Sequence, residues 1–132
     1  MPITVQWYDD NKNIAVTRFD GDWTLEDFHQ MMTDSAQITG SKQEAFITIA
    51  DFSNSITPPR KTLTIGQRVN TAHNPNRILL IFVKSGMLIE ILYNTLGKLY
   101  PKSFGQARTV DTFDEAIEIA HETLSHHATQ AD

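Results

Sequence analysis

The sequence predicts a mixed α/β fold: a sheet of about five strands with an N-terminal antiparallel hairpin, parallel βαβ units and about four helices. Two observations support this prediction. The apolar runs Phe46–Ala50 and Ile78–Val83 have no polar face, which is typical of strands that are covered on both sides of a parallel sheet. Segments long enough for helices separate the predicted strands, and this alternation favours right-handed parallel crossovers.

Length and composition indicate one soluble domain over residues 1–132. The chain has 40% apolar and 20% charged residues, which is ordinary globular composition. It contains no cysteine, so disulfides, thiolate metal sites and a cysteine nucleophile are excluded. No apolar run approaches the roughly 20 residues of a membrane span, and the N-terminus lacks a signal-peptide pattern. We therefore expect a cytoplasmic protein without membrane insertion.

The charge of the chain disfavours nucleic acid as a partner. There are 11 Lys and Arg against 16 Asp and Glu, a net charge of −5. Phosphate backbones are bound by clustered positive charge, whereas these cations are scattered and Arg60–Lys61 is their only adjacent pair.

The first half of the chain predicts a hairpin followed by a capped helix. Apolar and polar residues alternate in Ile3–Tyr8 and in Ile14–Phe19, with a polar turn between them. Thr24 is a good N-cap, and Asp27 stands at the capping-box position of the helix that follows. Leu25, Phe28, Met32 and Ala36 follow helical spacing, and Gly40 marks the end of this helix.

The second half predicts further βα units. Its elements after Phe46–Ala50 are the helix Lys61–Ala72, the strand Ile78–Val83, the helix Gly86–Tyr100, the strand Ala107–Val110 and a final helix. Thr112 and Glu115 form a capping box before that final helix, whose apolar residues are Phe113, Ala116, Ile117, Ala120 and Leu124. We expect Ser125–Asp132 to be a frayed tail.

Two polar segments follow the central strands and mark the candidate site. Asp51–Ser55 follows the first and Lys84–Gly86 the second. Parallel strands end at the same sheet edge, where open α/β sheets bind ligands. Two predicted helix N-termini, after Pro59 and Gly86, would favour an anion there. The candidate binding residues are Asp51, Ser53, Asn54, Ser55, Arg60, Lys84 and Ser85. The alternative is that these residues only cap helices and satisfy turn backbone.

Several of these features together resemble a known domain type. They are the leading hairpin, the Thr24-capped helix, the strand that ends in Asp51-Phe52-Ser53, and the segment Val110-Asp111-Thr112-Phe113-Asp114-Glu115-Ala116. This order resembles STAS domains, and most closely the small bacterial STAS-like proteins of largely unknown function.

The resemblance implies a regulatory role. STAS domains that antagonise anti-sigma factors carry a phosphorylatable serine after the central strand, in an Asp-Ser-Ser-Gly-like motif. Ser53 and Ser55 are its positional analogues here, although the Ser-Ser-Gly part is missing. Larger relatives in lipid-transfer proteins hold hydrophobic ligands, so the resemblance also implies a small apolar or anionic ligand as an alternative.

The helix Gly86–Tyr100 predicts a second contact surface. One broad apolar stripe must face the sheet, whereas Met87 and Ile91 fall on the opposite side. An apolar pair that faces away from the core indicates a homodimer or a protein partner. The alternative is that a neighbouring helix or loop covers this pair.

No pattern indicates catalysis or a metal. The sequence has no nucleophile elbow, Walker loop or dinucleotide fingerprint, and none of its five histidines forms a metal-ligand spacing. Aromatic residues at Trp7, Phe19, Trp23, Phe52 and Phe104 are scattered over different elements, and Trp23 and Phe52 are expected in loops. We therefore expect a non-catalytic STAS-like regulatory or protein-interaction domain without a cofactor; the alternative is a module that binds a small ligand.

Overall fold

The computed structural model describes residues 2–55, 74–84 and 107–131. The strands are β1 (Ile3–Trp7), β2 (Ile14–Gly21), β3 (Phe46–Ser55), β4 (Arg77–Val83) and β5 (Ala107–Val110), and the helices are α1 (Leu25–Thr39) and α2 (Phe113–Ala131). The strands form one sheet in the order β1-β2-β3-β4-β5. β1 and β2 are antiparallel, and the other pairs are parallel. This confirms the predicted mixed sheet.

About four helices were predicted, and the described residues contain two of them. The predicted helices Lys61–Ala72 and Gly86–Tyr100 lie outside the described residues.

The two apolar runs of the sequence are adjacent parallel strands, as predicted. In the β3–β4 register, Ile49 lies opposite Ile81 and Asp51 lies opposite Val83. Ile49, Ile81 and Val83 are fully buried, because they belong to one apolar cluster that covers their side of the sheet. The carboxyl ends of β3 and β4 therefore meet at one edge of the sheet.

Each face of the sheet has its own apolar layer. The layer between the sheet and α2 consists of Ile14, Val16, Ile47, Ile49, Leu79, Ile81 and Val83 from the strands and Ala116 and Ala120 from the helix. The layer between the sheet and α1 consists of Ile3, Phe19, Trp23 and Ala50 together with Phe28 and Met31 from the helix. We call these two sides of the sheet the α2 face and the α1 face.

Helix α1 begins and ends where the sequence predicts. Thr24 Oγ1 accepts a hydrogen bond from the Asp27 backbone N–H at 3.1 Å, and the Asp27 carboxylate accepts one from the Thr24 N–H at 2.9 Å. Gly40 closes the helix by donating to the Ala36 carbonyl oxygen. The apolar stripe is shifted slightly from the one we predicted: Met31 is buried, whereas Ala36 is exposed, because the helix packs on the edge strand β1 rather than on the middle of the sheet.

Helix α2 approaches the sheet closely because two small residues face it. Ala116 and Ala120 are fully buried against β3 and β4. Thr112 Oγ1 accepts a hydrogen bond from the Glu115 N–H at 3.1 Å, which is one of the two bonds of the predicted capping box. The segment Ser125–Asp132 was predicted to be a frayed tail, and the helix continues through it to Ala131. Those residues include no glycine or proline that would end it.

No helix among the described residues combines the length and apolar character that a membrane span needs.

Two asparagine side chains before β4 donate hydrogen bonds to the end of α1 and to the loop that follows it. The Asn74 side-chain amide donates to the Thr39 carbonyl oxygen at 2.9 Å, and that of Asn76 donates to the Lys42 carbonyl oxygen at 3.0 Å. Nearby, burial lowers the pKa of the Arg77 guanidinium to about 10, so this side chain stays charged at neutral pH.

The β1–β2 turn contains a strained residue that allows a stability test. Lys12 has φ of 54°, the left-handed region in which a side chain costs about 1–2 kcal/mol. We expect Lys12→Gly to raise the free energy of unfolding by about 0.5–1 kcal/mol, because glycine's larger unfolded-state entropy offsets part of the relief. Urea denaturation measures this change.

Lys12→Ala is the matched control, because it removes the charge and keeps the strained Cβ. It should leave the free energy of unfolding near that of the unmodified protein. A loss of stability in Lys12→Gly would contradict the assignment of strain.

Candidate functional site

The segment Asp51–Ser55 is not the loop that we predicted; it is the last half of β3. β2 also runs two residues past its predicted end at Phe19, and its last residues pair with this segment: Asp20 lies opposite Asn54, and Gly21 lies opposite Ser55. Polar composition suggested a loop, but backbone hydrogen bonding to a neighbouring strand requires no apolar side chains.

A bulge interrupts the β2–β3 pairing within this segment. β2 advances from Arg18 to Asp20 while β3 advances from Asp51 to Asn54, so β3 contains one extra residue. An extra residue reverses which face the following side chains occupy. Asp51 accordingly lies on the α2 face beside Arg18, whereas Ser55 reaches Trp23 on the α1 face.

Asp51 is the centre of the hydrogen bonding at the edge. Its Oδ1 accepts from the Ser53 backbone N–H at 2.9 Å and from the Ser53 hydroxyl at 2.6 Å. Its Oδ2 lies 3.7 Å from Nε of Arg18. Asp51 is only 9% exposed, and a buried carboxylate is stable when such donors and a countercharge satisfy it.

Arg18 connects this carboxylate to helix α2. Its guanidinium carbon lies 4.9 Å from the centroid of the Phe113 ring, at the first residue of α2. A cation over an aromatic face is attracted by the ring quadrupole. The side chain of Arg18 is 43% exposed, so the ion pair is partly screened and contributes modestly to stability.

Ser55 belongs to an aromatic group on the opposite face. Its Oγ accepts a hydrogen bond from Nε1 of Trp23 at 2.9 Å. Phe19 stacks on Phe52 with ring centroids 4.3 Å apart, and Trp23 lies 5.2 Å from Phe19. Phe82 is 6.3 Å from Phe52. Several aromatic residues that looked scattered in the sequence therefore meet at this edge.

Of the two aromatic residues expected in loops, Phe52 is the one that needs correction. Phe52 lies in β3 rather than in a loop, because the strand continues past Ala50. Trp23 does lie between β2 and α1, but it is buried. Phe19 is buried in the core, whereas Trp7 is half-buried and lies edge-on against Phe46. Phe104 lies outside the described residues.

Lys84 follows β4 directly and supplies a cation at the same edge. Its predecessor Val83 lies opposite Asp51. Its backbone N–H donates to the Val110 carbonyl oxygen at 2.9 Å, and its φ is 51°. The side chain is exposed. The fold thus holds Lys84 in a left-handed conformation that a non-glycine residue seldom adopts.

The structure describes five of the seven predicted binding residues: it places Asp51, Ser53, Asn54 and Lys84 at one edge of the sheet, whereas Ser55 contacts Trp23 on the α1 face. Arg60 and Ser85 lie outside the described residues, as do Met87 and Ile91 of the predicted interface and both helix N-termini of the predicted anion site. Within residues 2–55, 74–84 and 107–131, no group of three His, Cys, Asp or Glu side chains is placed to hold a metal ion.

Sequence reasoning missed Arg18 as the partner of Asp51. The signal was present, because Ile14 and Val16 alternate onto the buried α2 face and the next residue in that row is Arg18. A charge in a buried row needs a countercharge close by. Asp51, which ends the corresponding row of β3, was the obvious partner. The Trp23–Ser55 contact had no such signal, because it depends on the bulge.

Comparison with known proteins identifies the architecture. No family model matches the chain, and no curated protein matches it. A solved structure does: an uncharacterised protein of the DUF3478 family from Shewanella loihica, described as having a SpoIIAA-like fold. The match has a TM-score of 0.63 and 15% sequence identity, and it covers 89% of this chain and 91% of that one.

The chain has a STAS-like fold. The family resemblance inferred from the sequence is confirmed at the level of the fold. In this STAS-like fold the edge formed by Asp51, Ser53, Asn54 and Lys84, which we call the carboxyl edge, lies where the central parallel strands end.

The hydrogen bonds of Asp51 can be tested by substitution. Asp51→Ala leaves the Ser53 hydroxyl and N–H without their acceptor, so we expect the free energy of unfolding to fall by about 1–3 kcal/mol. Thermal or urea denaturation measures the loss.

Asp51→Asn is the matched control, since its amide oxygen still accepts from Ser53 while the charge opposite Arg18 is gone. A partly exposed ion pair contributes about 0–1 kcal/mol, so this variant should lose less than Asp51→Ala. Equal losses would show that the ion pair, and not the hydrogen bonding, dominates.

Proposed function

We propose that this protein is a non-catalytic regulatory domain of the cytoplasm that binds a protein partner through its carboxyl edge. The observation that supports the proposal is that some polar side chains at this edge are held in place while others are exposed. Asp51 is held by Ser53 and Arg18, whereas the side chains of Asn54 and Lys84 are exposed. A fixed polar base with exposed hydrogen-bonding groups suits recognition.

The rigidity of the edge favours binding. Asn54 and Ser55 pair with β2 in the sheet, and the Lys84 N–H is bonded to Val110 at the end of β5. The exposed groups thus project from backbone that is already ordered. Preorganised groups lose less conformational entropy when a partner binds.

Between the two serines, Ser53 suits phosphorylation better than Ser55. Ser53 is exposed, whereas Ser55 is half-buried and accepts from Trp23. A phosphate on Ser53 Oγ would remove the proton that is donated to Asp51 and place about two negative charges beside that carboxylate. Repulsion would then separate Ser53 from Asp51 and change the shape of the carboxyl edge. This proposal therefore assigns the switch to Ser53.

The proposal predicts that one charge reversal abolishes binding and that a matched one does not. Lys84→Glu reverses a charge at the carboxyl edge. Lys12→Glu reverses one in the β1–β2 turn, at the opposite end of the sheet. Both lysines are exposed and have φ near 50°, so the two substitutions impose similar local strain.

The measurement is quantitative mass spectrometry of proteins that co-purify with the tagged chain from its native cells. Partners retained by Lys12→Glu and lost by Lys84→Glu support the proposal. Identical partner sets for the two variants would contradict it. Intact-mass analysis of the same samples tests Ser53, because phosphorylation adds about 80 Da, and Ser53→Ala should abolish that added mass.

A second candidate function, binding of a small apolar ligand, rests on the aromatic group at this edge. Phe52 and Phe82 are half-buried rather than fully enclosed, and Trp23 offers a polar atom that already bonds to Ser55. Apolar walls with a few oriented polar groups are typical of ligand sites.

Trp23 reports on this candidate through its fluorescence. In a Trp7→Phe background, Trp23 is the only tryptophan, because the chain has two. Titration with fatty acids of graded length should shift or quench its emission, and Phe52→Ala should weaken that response several-fold. Tyr8→Ala, an aromatic substitution on the α2 face, should leave it unchanged. Emission that no fatty acid alters would contradict this candidate.

A further inference from the structure

The two edges of the sheet differ in how they are protected against pairing. β5 has only four residues and includes the exposed Arg108. β1 has the sequence Ile-Thr-Val-Gln-Trp, without charge, proline or glycine. Proteins normally shield an exposed edge with a short strand, a charge or a proline. β5 has two of these protections, and β1 has none of them within the strand.

The hydrogen bonds to β2 show which backbone groups of β1 face outward. The Tyr8 N–H donates to Ile14, and the Asp20 N–H donates to the Pro2 carbonyl oxygen. In an antiparallel pair such hydrogen-bonded positions alternate along the strand, so Thr4 and Gln6 also bond to β2. The N–H and carbonyl groups of the intervening residues, Ile3, Val5 and Trp7, point away from the sheet.

Not all of this edge is accessible. Ile3 is only 4% exposed and packs in the α1-face layer. Val5 and Trp7 are half-buried, and Gln6 between them is exposed. Among the residues that the structure describes, no backbone group is paired with the outward side of Val5 or Trp7. The accessible edge is therefore centred on Gln6.

We propose that this edge pairs antiparallel with β1 of a second copy of the chain, about a two-fold axis beside Gln6. In this register Val5 of each copy lies opposite Trp7 of the other, and each such pair exchanges two backbone hydrogen bonds. The outward N–H and carbonyl groups of Val5 and Trp7 in both copies are then hydrogen-bonded. A two-fold interface needs a self-complementary surface, and this edge provides one.

The side chains also match in this register. Val5 packs on the α1 face with Ile3, and Trp7 alternates onto the same face, so Val5 meets Trp7 across the axis. Lys42 Nζ lies 5.6 Å from the centroid of each Trp7 ring. Gln6 lies opposite Gln6 of the second copy on the other face, where two neutral amides can hydrogen-bond. The predicted homodimer surface at Met87 and Ile91 is a different one, and the two are distinguishable by experiment.

Hydrogen exchange followed by NMR tests the pairing directly. Raising the protein concentration from micromolar to millimolar should slow the exchange of the Val5 and Trp7 amides at least several-fold. The Thr4 and Gln6 amides bond to β2 in either state and serve as internal controls. A dimer without slower exchange at Val5 and Trp7 would overturn the proposal, as would a protein that stays monomeric throughout.

Opposite charges at position 6 test the two-fold axis. In Gln6→Lys or in Gln6→Glu, like charges face each other, so each variant alone should dimerise up to about fivefold more weakly at low salt. An equimolar mixture should restore dimerisation, because Lys then faces Glu. Thr109→Lys, an exposed position on β5, controls for added charge and should dimerise normally. Sedimentation equilibrium measures all four samples.

Two results of this set would overturn the proposed register. The first is a mixture that dimerises no better than either variant alone. The second is an equal loss of dimerisation in Thr109→Lys. Thermal denaturation of each variant confirms that the fold is intact, since Gln6 contributes no side chain to either apolar layer.

Discussion

The structure depends on the burial of β3 between two apolar layers. Ile47 and Ile49 are fully covered on the α2 face, while Phe46 and Ala50 are buried on the other. A strand with no solvent-exposed face cannot shift its register without moving apolar side chains out of one of the two layers. The position of Asp51, midway along β3, is therefore fixed by the packing of the apolar residues that precede it in the strand. The polar groups of the carboxyl edge are therefore positioned by apolar packing within the sheet.

Arg18 contacts both the carboxyl edge and helix α2. Its Nε lies 3.7 Å from the Asp51 carboxylate, and its guanidinium carbon lies 4.9 Å from the ring of Phe113, the first residue of the helix. Ala116 and Ala120 are buried between the same helix and the sheet. Helix α2 is therefore anchored to the sheet both at its first residue and along its buried face.

Features of this fold that carry a local sequence signal could be predicted, whereas those that depend on pairing between distant segments could not. Among the described residues, the capping box of Thr24 and Asp27 and the apolar runs that form β3 and β4 were predicted correctly, because each depends on a local signal. The end of β3 was mispredicted because polar residues such as Asn54 can extend a strand when a neighbour supplies the hydrogen bonds. The contact between Ser55 and Trp23 could not be predicted, since it follows from a bulge that no local pattern marks. Arg18 could have been found from its place in an apolar row.

The extra residue in β3 has a consequence for how this segment tolerates change. Because of it, the number of residues between Asp51 and Ser55 determines which face of the sheet Ser55 occupies. An exchange of Asn54 for another residue preserves both anchors, one on each face. Loss of a single residue would turn Ser55 to the side of Asp51 and strip Trp23 of its acceptor. An insertion or deletion in this segment would therefore change the face that Ser55 occupies, whereas a substitution of the Asn54 side chain would leave that face unchanged.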